Sequence, residues 1–231
     1  MTDFSTGPPP VLASGPDDSG IAVIVLNRPE KKNALSIALR EEAVAILGRL
    51  ASDQAVKVLV VTGSGGCFSA GFDLQEFAVT DPDHTERLWR SSDLFHHAVH
   101  QFPVPVIAAV DGIAYAGGFD LAVLCDLRIA TDRARFAHPE SAHGPVVYGP
   151  LHDLVGGAIA RELVLTGREI DAREALRLHL VSELTEPGEL TQQTLDLARQ
   201  VARAPRQVLA RNKAKFTARS AIAPRTPTLD L

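Results

Sequence analysis

One stretch limits what this chain can become: Pro105-Val-Ile-Ala-Ala-Val-Asp-Gly-Ile-Ala-Tyr-Ala-Gly-Gly-Phe-Asp-Leu-Ala-Val-Leu-Cys-Asp126. Val106 to Val110 is an apolar run that reads as a buried strand. The chain then passes Asp111-Gly112, turns through Gly117-Gly118 and starts a small-residue apolar helix whose one acid is Asp120. A strand, a glycine turn and a helix start together leave backbone N–H groups unpaired where the helix dipole favours negative charge. Such a place suits an oxyanion, with a carboxylate one turn away.

The remaining segments fit an α/β layered fold. Ile21 to Leu26 and Val56 to Thr62 are apolar runs without polar alternation, as strands buried on both faces require. Ser36 is positioned to cap a helix running to about Leu50. Gly63 to Leu74 is a glycine-rich loop, and a polar helix-compatible segment follows to His100, broken near Asp81-Pro82. Leu127 to Thr131 is a strand and Arg135 to Glu140 a loop or edge segment. Helices are expected over Leu154–Leu165, Asp171–Leu178, Leu190–Ala202 and Pro205–Ala218, with a short strand over Leu180–Leu184. The expected organisation is a flexible tail over 1–19, one core over 20–188, and a helical segment with tail over 189–231.

Several function classes fall away. With 231 residues and net charge −5 the chain is of single-domain size and carries no basic block for nucleic acid. No apolar run approaches a membrane span and no leader sequence is evident, so a cytoplasmic protein is expected. Cys67 and Cys125 read as reduced thiols rather than a disulfide. Val61-Thr-Gly-Ser-Gly follows a strand, but Phe68 stands where the dinucleotide fingerprint needs its last glycine. His96 and His100 are one helical turn apart without the glutamate of a zinc-protease motif, so a solvated helix face is expected and no metal. Asp120 reads as an N-terminal dipole partner or a catalytic group on a buried face and Glu140 as a surface acid; taken singly, the structural role is preferred for each.

Read together, these stretches resemble the crotonase superfamily of enoyl-CoA hydratases and isomerases over about residues 20–218. The resemblance rests on Asn27-Arg-Pro-Glu-Lys-Lys-Asn-Ala-Leu35, on Val58 to Asp73 ending Phe-Ser-Ala-Gly-Phe-Asp, on Ala109 to Asp126, on Phe136-Ala-His-Pro-Glu140, and on Val164-Leu-Thr-Gly167 through Val181. It implies a ββα spiral core with a short, reduced C-terminal helical region. It also implies an acyl-CoA substrate, no separate cofactor, and a homotrimer or hexamer. By the same resemblance Glu140 and Asp120 are catalytic and the N–H groups of Ala70 and Gly117 form the oxyanion hole. Lys31, Lys32, Ala34, Phe72, Asp73, Leu74, Gly118, His143 and Tyr148 are then the CoA- and acyl-binding residues.

The expected reaction is hydration of an α,β-enoyl-CoA; the alternatives are double-bond isomerisation or acyl-CoA binding with little turnover. Position 120 is Asp where the family's hydratases have Glu, which retracts the carboxyl by about 1.5 Å, one C–C bond. An Asp–Glu pair is similar to dienoyl-CoA isomerases, but those carry a further Asp where this chain has Tyr148. Gly144-Pro-Val-Val-Tyr-Gly-Pro150 also replaces the family's glycine-rich segment.

Overall fold

The computed structural model describes residues 8–220, 222–223 and 226–230. Four strands occupy the centre of one sheet: β2 (Ile21–Leu26), β3 (Val58–Gly63), β4 (Val106–Val110) and β6 (Leu127–Thr131). They run parallel in that order, with Ile24 opposite Val61, Val60 opposite Ile107, and Ala109 opposite Ile129. β1 (Val11–Ser14) closes one edge antiparallel to β2, and β9 (Glu183–Thr185) closes the other. Parallel strands need covered faces, and both are covered. On one face Leu59, Val61, Ala108 and Val110 enter the main core with α1 (Ile37–Ser52), α2 (Pro82–His100) and α3 (Gly117–Leu124). On the other, Val58, Val60, Ile107 and Ile129 pack under Leu190, Ala198 and Ala202 of α7 (Leu190–Ala202).

A second, smaller sheet makes the path a spiral. β5 (Ile113–Tyr115) pairs parallel with β7 (Arg135–Ala137), and β7 pairs antiparallel with β8 (Ile170–Asp171). Isolated bridges extend this layer: Leu35 to Phe72, and Ser69 to Ala114. Three successive turns of chain therefore each give a large-sheet strand, a small-sheet segment and a helix: β2–Leu35–α1, β3–Ser69 to Phe72–α2, and β4–β5–α3. The expected ββα spiral is present, and it brings the loop after β3 against the start of α3.

Several sequence expectations need correction. The tail expected over 1–19 contains β1, because Val11 finds a buried place opposite Leu26 and Asn27 ties down the Pro9 and Pro10 carbonyls; residues 1–7 lie outside the described residues. The helix expected over Leu154–Leu165 is two, α4 (Gly149–Val155) and α5 (Gly157–Thr166), parted where Gly156 takes φ +79°. Leu180 and Val181 are a buried turn rather than strand, since both N–H groups return to the Ala175 carbonyl at the end of α6 (Ala172–Arg177). The last helix, α8 (Arg206–Arg219), is anchored by a buried ion pair of Lys213 with Asp126 at 2.9 Å.

His96 and His100 do not sit on a solvated face. α2 packs on α1 and α3, and the chain end returns across it: His96 is fully buried, and His100 meets the Ser220 hydroxyl at 3.0 Å. Burial drives the His100 pKa down to about 4, assisted by the Lys213 charge.

Candidate active site

The turn entering α3 is the most strained backbone near the candidate acids. Ala116, the residue before the helix, has φ +51° and ψ −130°, a conformation an L-residue occupies at a cost of about 1–3 kcal/mol. Its carbonyl takes the N–H groups of Phe119 and Asp120, so the Gly117 N–H, first in the helix, is left over. Gly71 lies directly opposite with φ +88°; a methyl group there would stand 2.7 Å from the Ala116 Cβ and 3.1 Å from the Gly117 nitrogen. Gly118 is required by packing: a Cβ on it would fall 2.4 Å from the Ser69 carbonyl oxygen.

The partner of Gly117 is not the residue expected. The Ala70 N–H already donates to the Lys32 carbonyl at 2.9 Å, and the Gly71 N–H to the Ser69 hydroxyl at 3.1 Å. The Phe72 N–H has no acceptor among the described residues. Phe72 follows Gly71, its backbone bridges Leu35, and its ring lies 3.8 Å from where a Gly117 Cβ would stand. The unspent donors in these two apposed segments are therefore Phe72 and Gly117. The Phe72 ring is held from beneath by the buried Arg40 guanidinium, 4.6 Å from its centroid. Arg40 in turn donates to the carbonyls of Leu35 and Leu88.

Asp120 and Glu140 come together, joined by a residue to which the sequence had assigned no role. Asp120, in the first turn of α3, and His138, just after β7, are both buried, and His138 Nε2 meets Asp120 Oδ1 at 2.8 Å. The His138 ring is stacked on Phe119 at 4.6 Å. Burial alone would lower its pKa; the Asp120 hydrogen bond and the Asp120 and Glu140 charges outweigh this and raise it. Glu140 lies in the first turn of the short 3-10 helix Pro139–Ala142, and its Oε2 is buried without a partner among the described residues. Burial pushes its pKa up to about 7, against the lowering effect of His138 and with that of Asp120 in support. Ligand atoms of the three residues lie within 4.8 Å of one another. That spacing would admit a cation, but His138 and Asp120 already bond each other at hydrogen-bond length, as a proton network does.

Other expected positions divide. Lys31 and Lys32 are exposed on the loop after β2, where ammonium groups can meet a phosphate. Ala34 is buried and its carbonyl accepts from Arg28 Nη1. Asp73 is committed to an ion pair with Arg28 at 3.0 Å, so it braces the loop instead of facing a ligand. Leu74 is 80% exposed. His143 is also exposed, since the turn after Glu140 carries it outward. Tyr148 is half-buried at the start of α4, its ring 5.5 Å from His152.

Comparison with known proteins gives the family and the fold. The profile of the family described as enoyl-CoA hydratase/isomerase matches residues 17–229. The chain belongs to that family. It is 34% identical over 186 residues to the short-chain-enoyl-CoA hydratase of Clostridium acetobutylicum, covering 78% of this chain and 71% of that protein. It is 35% identical over 194 residues to 4-chlorobenzoyl coenzyme A dehalogenase-2 of Arthrobacter sp, covering 80% and 70%. The crystal structure of an enoyl-CoA hydratase from Bacillus anthracis superposes with a TM-score of 0.85 at 30% identity, covering 90% of this chain and 82% of that one. This enoyl-CoA hydratase/isomerase family member thus has the crotonase fold. Among its described residues no helix is long and apolar enough to cross a membrane.

Proposed function

We propose that this family member hydrates an α,β-enoyl-CoA to the 3-hydroxyacyl-CoA. The observation that carries the reading is Glu140: a carboxyl titrating at about 7, with a free buried oxygen, beside an Asp120–His138 pair. A carboxyl in that range is the proton donor that α-carbon chemistry needs near neutral pH. Water adds its oxygen to the β-carbon and leaves its proton with the Asp120–His138 pair. The electrons of the double bond move onto the thioester oxygen. The N–H groups of Phe72 and Gly117 receive that charge, each such donor being worth about 2.7–4 kcal/mol in a fixed site. Glu140 then delivers its proton to the α-carbon, and the proton left on the Asp120–His138 pair passes back to Glu140 within the same cluster, restoring the enzyme. Asp120, held at one oxygen by His138, keeps the other for water.

Lys31 and Lys32 supply charge for the CoA phosphates, CoA enters as part of the substrate with no separate cofactor, and a homotrimer or hexamer is the proposed assembly. The buried free thiols Cys67 and Cys125 support a reducing compartment, the cytoplasm being proposed. One observation favours a second reading. Because His138 occupies Asp120 Oδ1, Glu140 alone could shuttle a proton between α- and γ-carbons, which is double-bond isomerisation. Loss of the conjugated enoyl thioester absorbance with crotonyl-CoA or a longer enoyl-CoA, together with oxygen added at the β-carbon of the product, supports hydration. No spectral change with any chain length, in wild type and Glu140→Ala alike, would remove it.

A further inference from the structure

The Phe72 N–H takes its direction from a peptide unit that glycine leaves loose. Gly71, at φ +88°, can turn that unit in ways other residues cannot. What fixes it lies outside the loop: the Gly71 carbonyl accepts from the Leu35 N–H at 2.7 Å. In a planar trans peptide the N–H points opposite to the carbonyl, so Leu35 decides where the Phe72 N–H is aimed. The Leu35 carbonyl in turn accepts from Arg40 Nη1, also at 2.7 Å.

Arg40 stands on α1 among the buried apolar residues Ile37, Leu39 and Ala43, and it is itself fully buried. A cation there is unfavourable unless its nitrogens are bonded. Nε donates to the Ser91 hydroxyl and Nη2 to the Leu88 carbonyl, both at 3.1 Å. Among the described residues no carboxylate meets it at hydrogen-bond length: Glu76 Oε2 lies 3.9 Å away, and the Glu76 carboxylate accepts the Ile37 N–H instead. Burial brings the Arg40 pKa down to about 10, with Glu76 and Glu41 opposing, so the group stays charged near neutral pH. The guanidinium lies 4.6 Å from the Phe72 ring centroid. Trp89 and His96 of α2, the helix that Arg40 holds at Leu88 and Ser91, pack edge-on to the same ring at 6.2 and 6.4 Å. Its contacts thus converge on Phe72 through the bridge partner, the ring and the helix packed against the ring. We propose that Arg40 is a positioning residue that fixes the Phe72 N–H as an oxyanion donor. The role rests on the reading of Phe72 and Gly117 as the oxyanion hole, and it holds for hydration and isomerisation alike.

The test uses butyryl-CoA labelled with carbon-13 at the thioester carbonyl, a saturated thioester that undergoes neither hydration nor double-bond migration. Infrared difference spectra compare its carbonyl stretch bound and free. Wild type should lower the stretch on binding. Arg40→Met, close in length but without donors or charge, should lose at least about half of that shift, because the Phe72 donor is misdirected. With crotonyl-CoA its kcat should fall at least about tenfold while KM changes less than about threefold, loss of a whole oxyanion donor being worth about 10²–10³ in kcat. Arg40→Lys, with one ammonium in place of the fork, should fall between. A wild-type shift and kcat in Arg40→Met would overturn the proposal. If Arg40 only packs the core, Arg40→Met melts at lower temperature while the folded protein keeps the wild-type shift and kcat, which also overturns it. If Arg40→Met fails to fold, Arg40→Lys decides: a wild-type shift with wild-type kcat overturns the role, and a smaller shift with nearly unchanged KM supports it. No carbonyl shift in wild type would refute the oxyanion hole and this role together; a wild-type shift that the variants leave unchanged refutes this role alone. Absence of turnover would refute hydration, with the infrared comparison still deciding the role of Arg40.

Discussion

Replacing Glu140 by Gln should make the protein more stable and less active, with a pH dependence that identifies the cause. The folded-state pKa of Glu140 is raised from 4.5 to about 7, burial being the largest contribution. A raised pKa means the fold binds the proton more tightly than the unfolded chain does. The stabilisation is complete below the unfolded value near 4.5 and is lost as pH climbs through about 7. At about 1.4 kcal/mol per pKa unit the loss amounts to about 3 kcal/mol, most of it developing between pH 5 and pH 8. Gln mimics the protonated acid and cannot ionise. Urea unfolding at pH 5 and pH 8 should therefore show the Gln variant gaining about 2–3 kcal/mol on wild type between those pH values, while turnover is lost. If wild type and Gln variant lose stability in parallel over this range, Glu140 does not carry a raised pKa and the proposed proton donor is wrong.

Other consequences follow from the same geometry. Gly71→Ala forces a methyl group to 2.7 Å from Ala116 Cβ at φ +88° and spreads the segments bearing the Phe72 and Gly117 N–H groups. Displacement near 1 Å should lower kcat about 100-fold, with kinetics at saturating substrate as the check. Ala116→Gly should stabilise by about 1 kcal/mol and Ala116→Val destabilise by more than that, because φ +51° suits only the first; chemical denaturation decides. His138→Gln keeps a donor toward Asp120 but removes the cation that lowers the Glu140 pKa. Activity needs Glu140 protonated, so the fall in kcat/KM on raising pH through about 7 should move to higher pH in this variant. An unmoved limb would deny the coupling.

The layered fold and the paired acids were legible because their signals are local. Val106 to Val110 is a strand from its own composition, and Gly117-Gly118 before an apolar helix marks a backbone donor at that helix start. What failed depended on contacts distant in sequence. Ala70 loses its N–H to the Lys32 carbonyl, a contact made only when two loops meet, and the free donor falls instead on Phe72. Asp73 looks like a site acid until Arg28 claims it. His138 sits two residues from Glu140 in an otherwise apolar Phe136-Ala137 setting. A buried imidazole beside a candidate acid was the available signal, though its partner Asp120 is reached only by stacking α3 on the second sheet. His96 and His100 read as solvated because α2 is polar overall; the packing of α1, α3 and the chain end buries them.

The central claim is that Glu140 protonates an enolate held by Phe72 and Gly117 after water has added at the β-carbon. Product analysis in deuterated water tests it most directly, with mass and NMR detection of the thioester after limited turnover of an enoyl-CoA. The predicted product carries one deuterium at the α-carbon and one added oxygen at the β-carbon with wild type, and forms at less than about a hundredth of that rate with Glu140→Gln, the low end of the effect of a positioned acid or base. A shifted double bond without added oxygen, or undiminished hydration by Glu140→Gln, would contradict it.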